Sequence, residues 1–183
     1  MKIQHLVVGA VAALSMGATA HAGTTVTVDA LTPIGSWLDT GLSLSAGTNY
    51  YLEVNNPGTL WSAGATAARS STANGIPLSA GFGTFTQDGF TAKYGALVGE
   101  VGPTPGGGAG DTFFLIGTGP TSVTGLSGEL YVGYWDSFYG DNSGTQSLSI
   151  GVPEPAAWAL MLVGFAGLGA GLRRARRRSP SLA

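Results

Sequence analysis

Thr24-Thr25-Val26-Thr27-Val28-Asp29 sets the fold class: Val26 and Val28 stand two apart, on one face of an extended chain, with threonines on the other. A period of two belongs to a half-buried strand, not to a helix. The same pattern recurs outward from this stretch. Leu42 and Leu44 share a face within residues 37–44, and residues 50–54 form a strand closed by the turn signal Asn55-Asn56-Pro57-Gly58. Residues 81–86, 96–101, 112–117, 129–135 and 146–152 are further candidates. About eight short strands with glycine-rich turns predict an all-β domain, a β-sandwich or jelly roll. Phe82, Phe85, Leu97, Phe113, Phe114, Ile116, Leu130, Val132, Leu148 and Ile150 are the expected core, with Trp37 and Trp61. Residues 63–77 and 102–111 read as long loops, the second irregular and mobile.

Composition narrows the chemistry. The chain has 183 residues, of which 31 are glycine and only 10% charged, and it has no cysteine. Disulfide scaffolds, cysteine metal sites and catalytic thiols are therefore excluded. Between Gly23 and Val152 nine acidic residues face only Arg69 and Lys93, a net charge of −7. Such a body repels phosphate backbones, so no nucleic-acid partner is expected. Both histidines, His5 and His21, lie in the N-terminal segment, so the body lacks the commonest general base and imidazole metal ligand. Glu100 and Glu129 are the carboxylates for a glycosidase pair to use. Each sits at the end of a predicted strand and reads as a surface residue, so the chain is read as a non-enzyme.

The two ends carry address signals. Lys2, an apolar stretch over residues 6–14 and Ala20-His21-Ala22 make a secretory signal peptide, residues 1–22, cleaved after Ala22. At the other end, Pro153-Glu154-Pro155 and Trp158 lead into an uncharged run to Leu172, followed by Arg173-Arg174-Ala175-Arg176-Arg177-Arg178. Ala156 to Leu172 gives about 25 Å of helix at 1.5 Å per residue, the short limit for a bilayer span. The arginines would hold its end in the cytoplasm. Residues 153–178 resemble the PEP-CTERM sorting signal of Gram-negative bacteria in their Pro-Glu-Pro box, Trp158, glycine-rich helix and arginine cluster. The resemblance implies a precursor held transiently in the inner membrane, processing by an exosortase near Pro153–Pro155, and release to the cell surface or an exopolysaccharide matrix. Residues 179–183 are a short tail.

The stretch with most chemistry runs from Glu129 to Gly144. A strand delivers Asp136 to a loop, Asp141 and Asn142 follow five residues on, and Gly144 permits a sharp turn. Two carboxylates about 5 Å apart repel by roughly 3 kcal/mol at an effective dielectric of 20. A divalent cation between them reverses that, and an all-oxygen donor set suits Ca²⁺. The alternative is an acidic, solvated turn. EF-hand spacing is absent, because the twelfth position from Asp136 is Ser147. Trp135 is expected to be packed, Phe138 and Tyr139 to be exposed on the loop, where rings can stack on a sugar.

Four segments of the body resemble the LecA-type, calcium-dependent galactose-binding bacterial lectins. They are Trp37-Leu38-Asp39-Thr40-Gly41-Leu42 with Ala46-Gly47; Gly58-Thr59-Leu60-Trp61-Ser62; Gly95-Ala96-Leu97-Val98-Gly99-Glu100-Val101-Gly102; and Gly128-Glu129-Leu130-Tyr131 with Asp136 and Asp141-Asn142-Ser143-Gly144. The resemblance makes residues 23–152 a β-sandwich lectin-like domain. It implies side-chain calcium ligands Asp136, Asp141 and Asn142, backbone ligands at Phe138 and near Gly64, and sugar contacts at Asp136, Asp141 and Phe138. Three departures stand out: the loop from Asp136 to Gly140 is two residues shorter than in the galactose-binding members, Trp135 precedes Asp136 where the family has Asn, and residues 73–88 lack the family's His-Pro element. The function expected is an exported, calcium-dependent carbohydrate-binding protein with a glycan or exopolysaccharide partner. The alternative is a structural matrix or surface protein whose calcium serves stability alone.

Overall fold

The computed structural model describes residues 21–153 together with Leu162, Phe165, Ala166, Gly169 and Arg173. The rest of the expected signal peptide and sorting segment lies outside the described residues. Among the described residues twelve strands form in chain order: β1 (His21–Asp29), β2 (Leu38–Leu44), β3 (Tyr50–Val54), β4 (Trp61–Ser62), β5 (Ser70–Ser71), β6 (Thr84–Gln87), β7 (Phe90–Lys93), β8 (Leu97–Gly102), β9 (Thr112–Leu115), β10 (Thr121–Val123), β11 (Gly128–Tyr134) and β12 (Thr145–Pro153). Eight of them make two antiparallel four-stranded sheets, ordered β1-β12-β3-β10 and β2-β11-β8-β9. The ribbons β4-β5 and β6-β7 supply the other four. The all-β reading holds, with more strands than the eight expected. Among the described residues no helix is long and apolar enough to cross a membrane.

One core joins the two sheets. Val28, Leu52, Val54, Leu148 and Ile150 from the first meet Leu44, Leu97, Val101, Leu130, Val132 and Tyr134 from the second. Each fully buried aliphatic side chain contributes about 1.5–3 kcal/mol. Alternation sends the other side of the second sheet to a different cluster, Trp37, Val98, Tyr131 and Trp135, roofed by Phe85 and Phe90 from the β6-β7 hairpin and by Phe113. So β11 is buried on both sides from Leu130 to Tyr134. Phe82, Phe85, Phe113 and Phe114, expected in the core, are only partly buried, because they edge these two clusters rather than fill them.

Three further readings need correction. Residues 63–77 are not an open loop: they hold a 3₁₀ turn (Ala67–Arg69) and β5, and bury Ser71, Ala73 and Ile76. Tyr139 is half-buried, since its ring meets the outer cluster and its hydroxyl donates to the Asp136 carbonyl. Glu100, read as a surface strand end, is wholly buried. Its Oε2 accepts the Gly106 N–H at 2.9 Å and its Oε1 the Gly107 N–H at 2.7 Å, so the irregular 102–111 connection folds back onto it.

Burial pushes the Glu100 carboxyl above its ordinary range, against the lowering effect of those two N–H groups, and nearby Asp111 adds to the rise. Both Asp111 carboxylate oxygens are themselves buried without a hydrogen-bond partner. A raised carboxyl favours folding most below its ordinary value, and that contribution is lost as pH climbs through the raised one. The melting temperature should therefore fall as the pH is raised above about 4.5, and Glu100→Gln should flatten part of that slope. The variant also sets an amide NH₂ against one backbone N–H, at a cost of about 1–3 kcal/mol. Calorimetry across this pH range checks both effects.

Candidate functional site

The candidate site lies where the second sheet hands the chain back to the first. β11 ends at Tyr134, Trp135 anchors the strand end in the outer cluster, and Asp136 opens a loop that re-enters at β12. Asp136 is 5% exposed; its Oδ1 accepts the Ser137 N–H at 2.6 Å and the Phe138 N–H at 3.2 Å, a local turn that fixes the carboxylate. The return limb is pinned by two bonds between Ser62 and Ser143, 2.8 and 3.0 Å, and by Ala30 N–H to the Gly144 carbonyl at 3.1 Å. Gly144 has φ +95°, and a Cβ there would stand 3.0 Å from the Trp61 Cα, so glycine is required at this turn.

Asn142 is held inside this limb, 5% exposed, with Nδ2 donating to the Ala30 carbonyl at 3.1 Å. Its side chain lies near enough to the Asp136 carboxyl to favour the ionised form, and its Oδ1 is buried with no partner. Burial lifts the Asp136 carboxyl above its usual range; the Phe138 N–H, Asn142 and the Ser137 N–H oppose this, and the Asp141 charge adds to it. Beneath them the buried Tyr134 hydroxyl has no partner, and burial, then Asp136 and Asp141, push it well up.

Asp136, Phe138 and Asp141 line one cleft of about 400 Å³ with Ala63, Arg69, Gly81, Phe82, Tyr94 and Ser137. Phe138 is 65% exposed at the rim, as expected, and Trp135 is fully buried, also as expected. Gly64 reaches the same place: a Cβ on it would stand 2.8 Å from Asp141 Oδ2. Its carbonyl accepts the Ser62 hydroxyl at 2.5 Å. Of the five residues singled out from sequence, Asp136, Phe138 and Asp141 thus share the cleft lining, while Gly64 neighbours Asp141 and Asn142 neighbours Asp136. Of the sorting-motif residues, Pro153 ends β12 opposite His21 and Arg173 is exposed. Glu154, Pro155, Trp158 and Arg174 lie outside the described residues.

Arg69 was not foreseen. Its Nη1 pairs with Asp141 Oδ2 at 3.3 Å and lies 3.4 Å from the Ala63 carbonyl, and its guanidinium carbon sits 5.0 Å over the Phe82 ring. Composition held the clue, since Arg69 is one of only two cations in an acidic body. The Asp136 and Asp141 carboxylates and the unsatisfied Asn142 amide oxygen are oxygen donors of the kind a hard cation takes. Among the described residues no three carboxylate, imidazole or thiol side chains gather, so a metal here would rest on two charges plus neutral oxygens.

No protein-family model matches the chain, and no curated protein matches it. Among solved structures, the EclA N-terminal domain, described as a PllA-like lectin, is similar. It has 18% sequence identity, covers 70% of this chain and 94% of its own, and superposes with a TM-score of 0.46. The reading of the site rests on its own side chains.

Proposed function

We propose that this protein is an exported, calcium-dependent carbohydrate-binding protein of the LecA type. The observation that carries the reading is the buried, partnerless Asn142 Oδ1 beside the Asp136 carboxylate, with Asp141 lining the same cleft. An acceptor left unsatisfied in this way costs about 1–3 kcal/mol, which a bound cation offsets. Asp136, Asp141, Asn142 and the carbonyls of Phe138 and Gly64 would hold a Ca²⁺. The ion would supply exchangeable positions for a sugar diol. The chain's own side chains do the rest: Asp136 and Asp141 accept hydroxyl hydrogens, while Phe138, Tyr94 and Phe82 offer apolar surface to the ring. The cleft volume suits a small ligand. The binding role needs no catalytic group, and the protein is read as a non-enzyme.

Export rests on residues 1–22, and processing by an exosortase on residues 153–178. The body would end at the cell surface or in an exopolysaccharide matrix, with a glycan as partner.

The test is retention of the purified protein on galactose resin with calcium and with EDTA, alongside thermal melting in both. Calcium should raise the melting temperature and EDTA should release the protein. A chelator without effect on either would sink the reading. A second reading, a structural protein stabilised by calcium that binds no sugar, draws on residues 73–88. They carry no His-Pro element, and they commit Ala73 and Ile76 to the core. A calcium-dependent melting shift with a blank glycan array would select it.

A further inference from the structure

We propose that Arg69 makes this cleft selective for acidic sugars, hexuronates, over their neutral counterparts; the proposal rests on the calcium-dependent sugar reading above. Arg69 is the one guanidinium on the cleft wall. Only Nη1 is engaged, by Asp141 Oδ2 at 3.3 Å and the Ala63 carbonyl at 3.4 Å. Among the described residues, Nη2 and Nε have no hydrogen bond. The side chain is 40% exposed, and its guanidinium carbon lies 5.0 Å from the centre of the Phe82 ring, a cation–π contact that restrains the group. A planar donor fork with free N–H groups, restrained by a cation–π contact and an ion pair, is suited to recognise a carboxylate in preference to a hydroxyl.

Charge sets a condition on that preference. Asp136 and Asp141 against Arg69 leave the cleft with one net negative charge, inside a body that is itself acidic. A uronate is repelled from that state. A divalent cation held by the two carboxylates turns the cleft to one net positive charge, and a uronate then neutralises it. Binding of the acidic sugar should therefore depend on calcium more steeply than binding of the neutral one. It should also weaken with salt, since the attraction is partly exposed.

The experiment is isothermal titration of the full chain with galactose and with galacturonate, calcium held in excess over sugar. The unmodified protein is compared with Arg69→Met and Arg69→Lys. A hydrogen bond to a charged group is worth enough to favour galacturonate by about ten- to a hundredfold. Arg69→Met should bring the ratio of the two affinities close to one, and Arg69→Lys should keep part of it. A calcium-induced melting shift in each variant shows that it is folded and holds the ion. Equal affinities in the unmodified protein, or a preference that survives Arg69→Met, overturns the proposal while leaving a calcium-dependent galactose site standing. If neither sugar binds and calcium produces no shift, the proposal falls together with the reading beneath it.

Discussion

Trp135→Ala should cost about 3–5 kcal/mol, the range for removing a fully buried tryptophan from a packed core. The ring has no exposure and meets four others, Phe85 and Phe90 at 5.2 Å, Phe113 at 5.6 Å and Trp37 at 6.0 Å between centroids. Its indole N–H donates to the Phe85 carbonyl at 2.9 Å, so one side chain fastens the β6-β7 hairpin to the outer side of the second sheet. Deleting it removes the centre of the aromatic cluster and leaves a carbonyl without its donor. Domains of this size are stable by about 5–15 kcal/mol, so the loss is a large share of the total. The melting temperature should drop by at least about 10 °C. The near-ultraviolet circular dichroism of the aromatic cluster should collapse with it. A change below about 1 kcal/mol would mean that the ring does not anchor the hairpin. Because Asp136 is the next residue, the variant should also lose order at the cleft.

The strands legible from sequence were those whose side chains alternate over several residues. Residues 50–54 were placed without error, and β1, β2, β8, β11 and β12 to within a few residues. β10, Thr121–Val123, was missed because three residues with one apolar side chain give no period to read; its place is set by pairing with β3. β7, Phe90–Lys93, is marked by the turn before it. Asp88 and Gly89 both have positive φ, 49° and 79°, and Asp-Gly between two short β-prone runs marks a two-residue hairpin. Glu100 was misread for a different reason. Its burial is created by a loop that closes over it from residues 106 and 107, and no local pattern foretells such a cover. Asp136, Phe138, Asp141 and Asn142 can be grouped from sequence because they share one loop. Arg69 cannot, since it arrives from 72 positions away in sequence and only the fold sets it against Asp141.

Asp136→Asn separates the metal from the fold. Asparagine keeps a side-chain oxygen where Asp136 Oδ1 accepts the Ser137 and Phe138 N–H groups, so the turn that shapes the loop survives. It removes a charge that burial already disfavours, so without calcium the variant should melt at the same temperature or slightly higher. With calcium the two proteins should part. A ligand at a hundred times its dissociation constant stabilises the folded state by about 2.7 kcal/mol, and the unmodified protein should show a shift of that order. Taking one of two carboxylates from a hard-cation site should leave the variant with almost no shift at the same calcium concentration. Asp141→Asn should also lose the shift, and it frees Arg69 besides, so its calcium-free form loses an exposed ion pair worth at most about 1 kcal/mol. Paired melting curves in EDTA and in calcium decide the matter. A full calcium shift in Asp136→Asn would put the ion elsewhere on the protein, and Asp136 would then be only the residue that turns the loop.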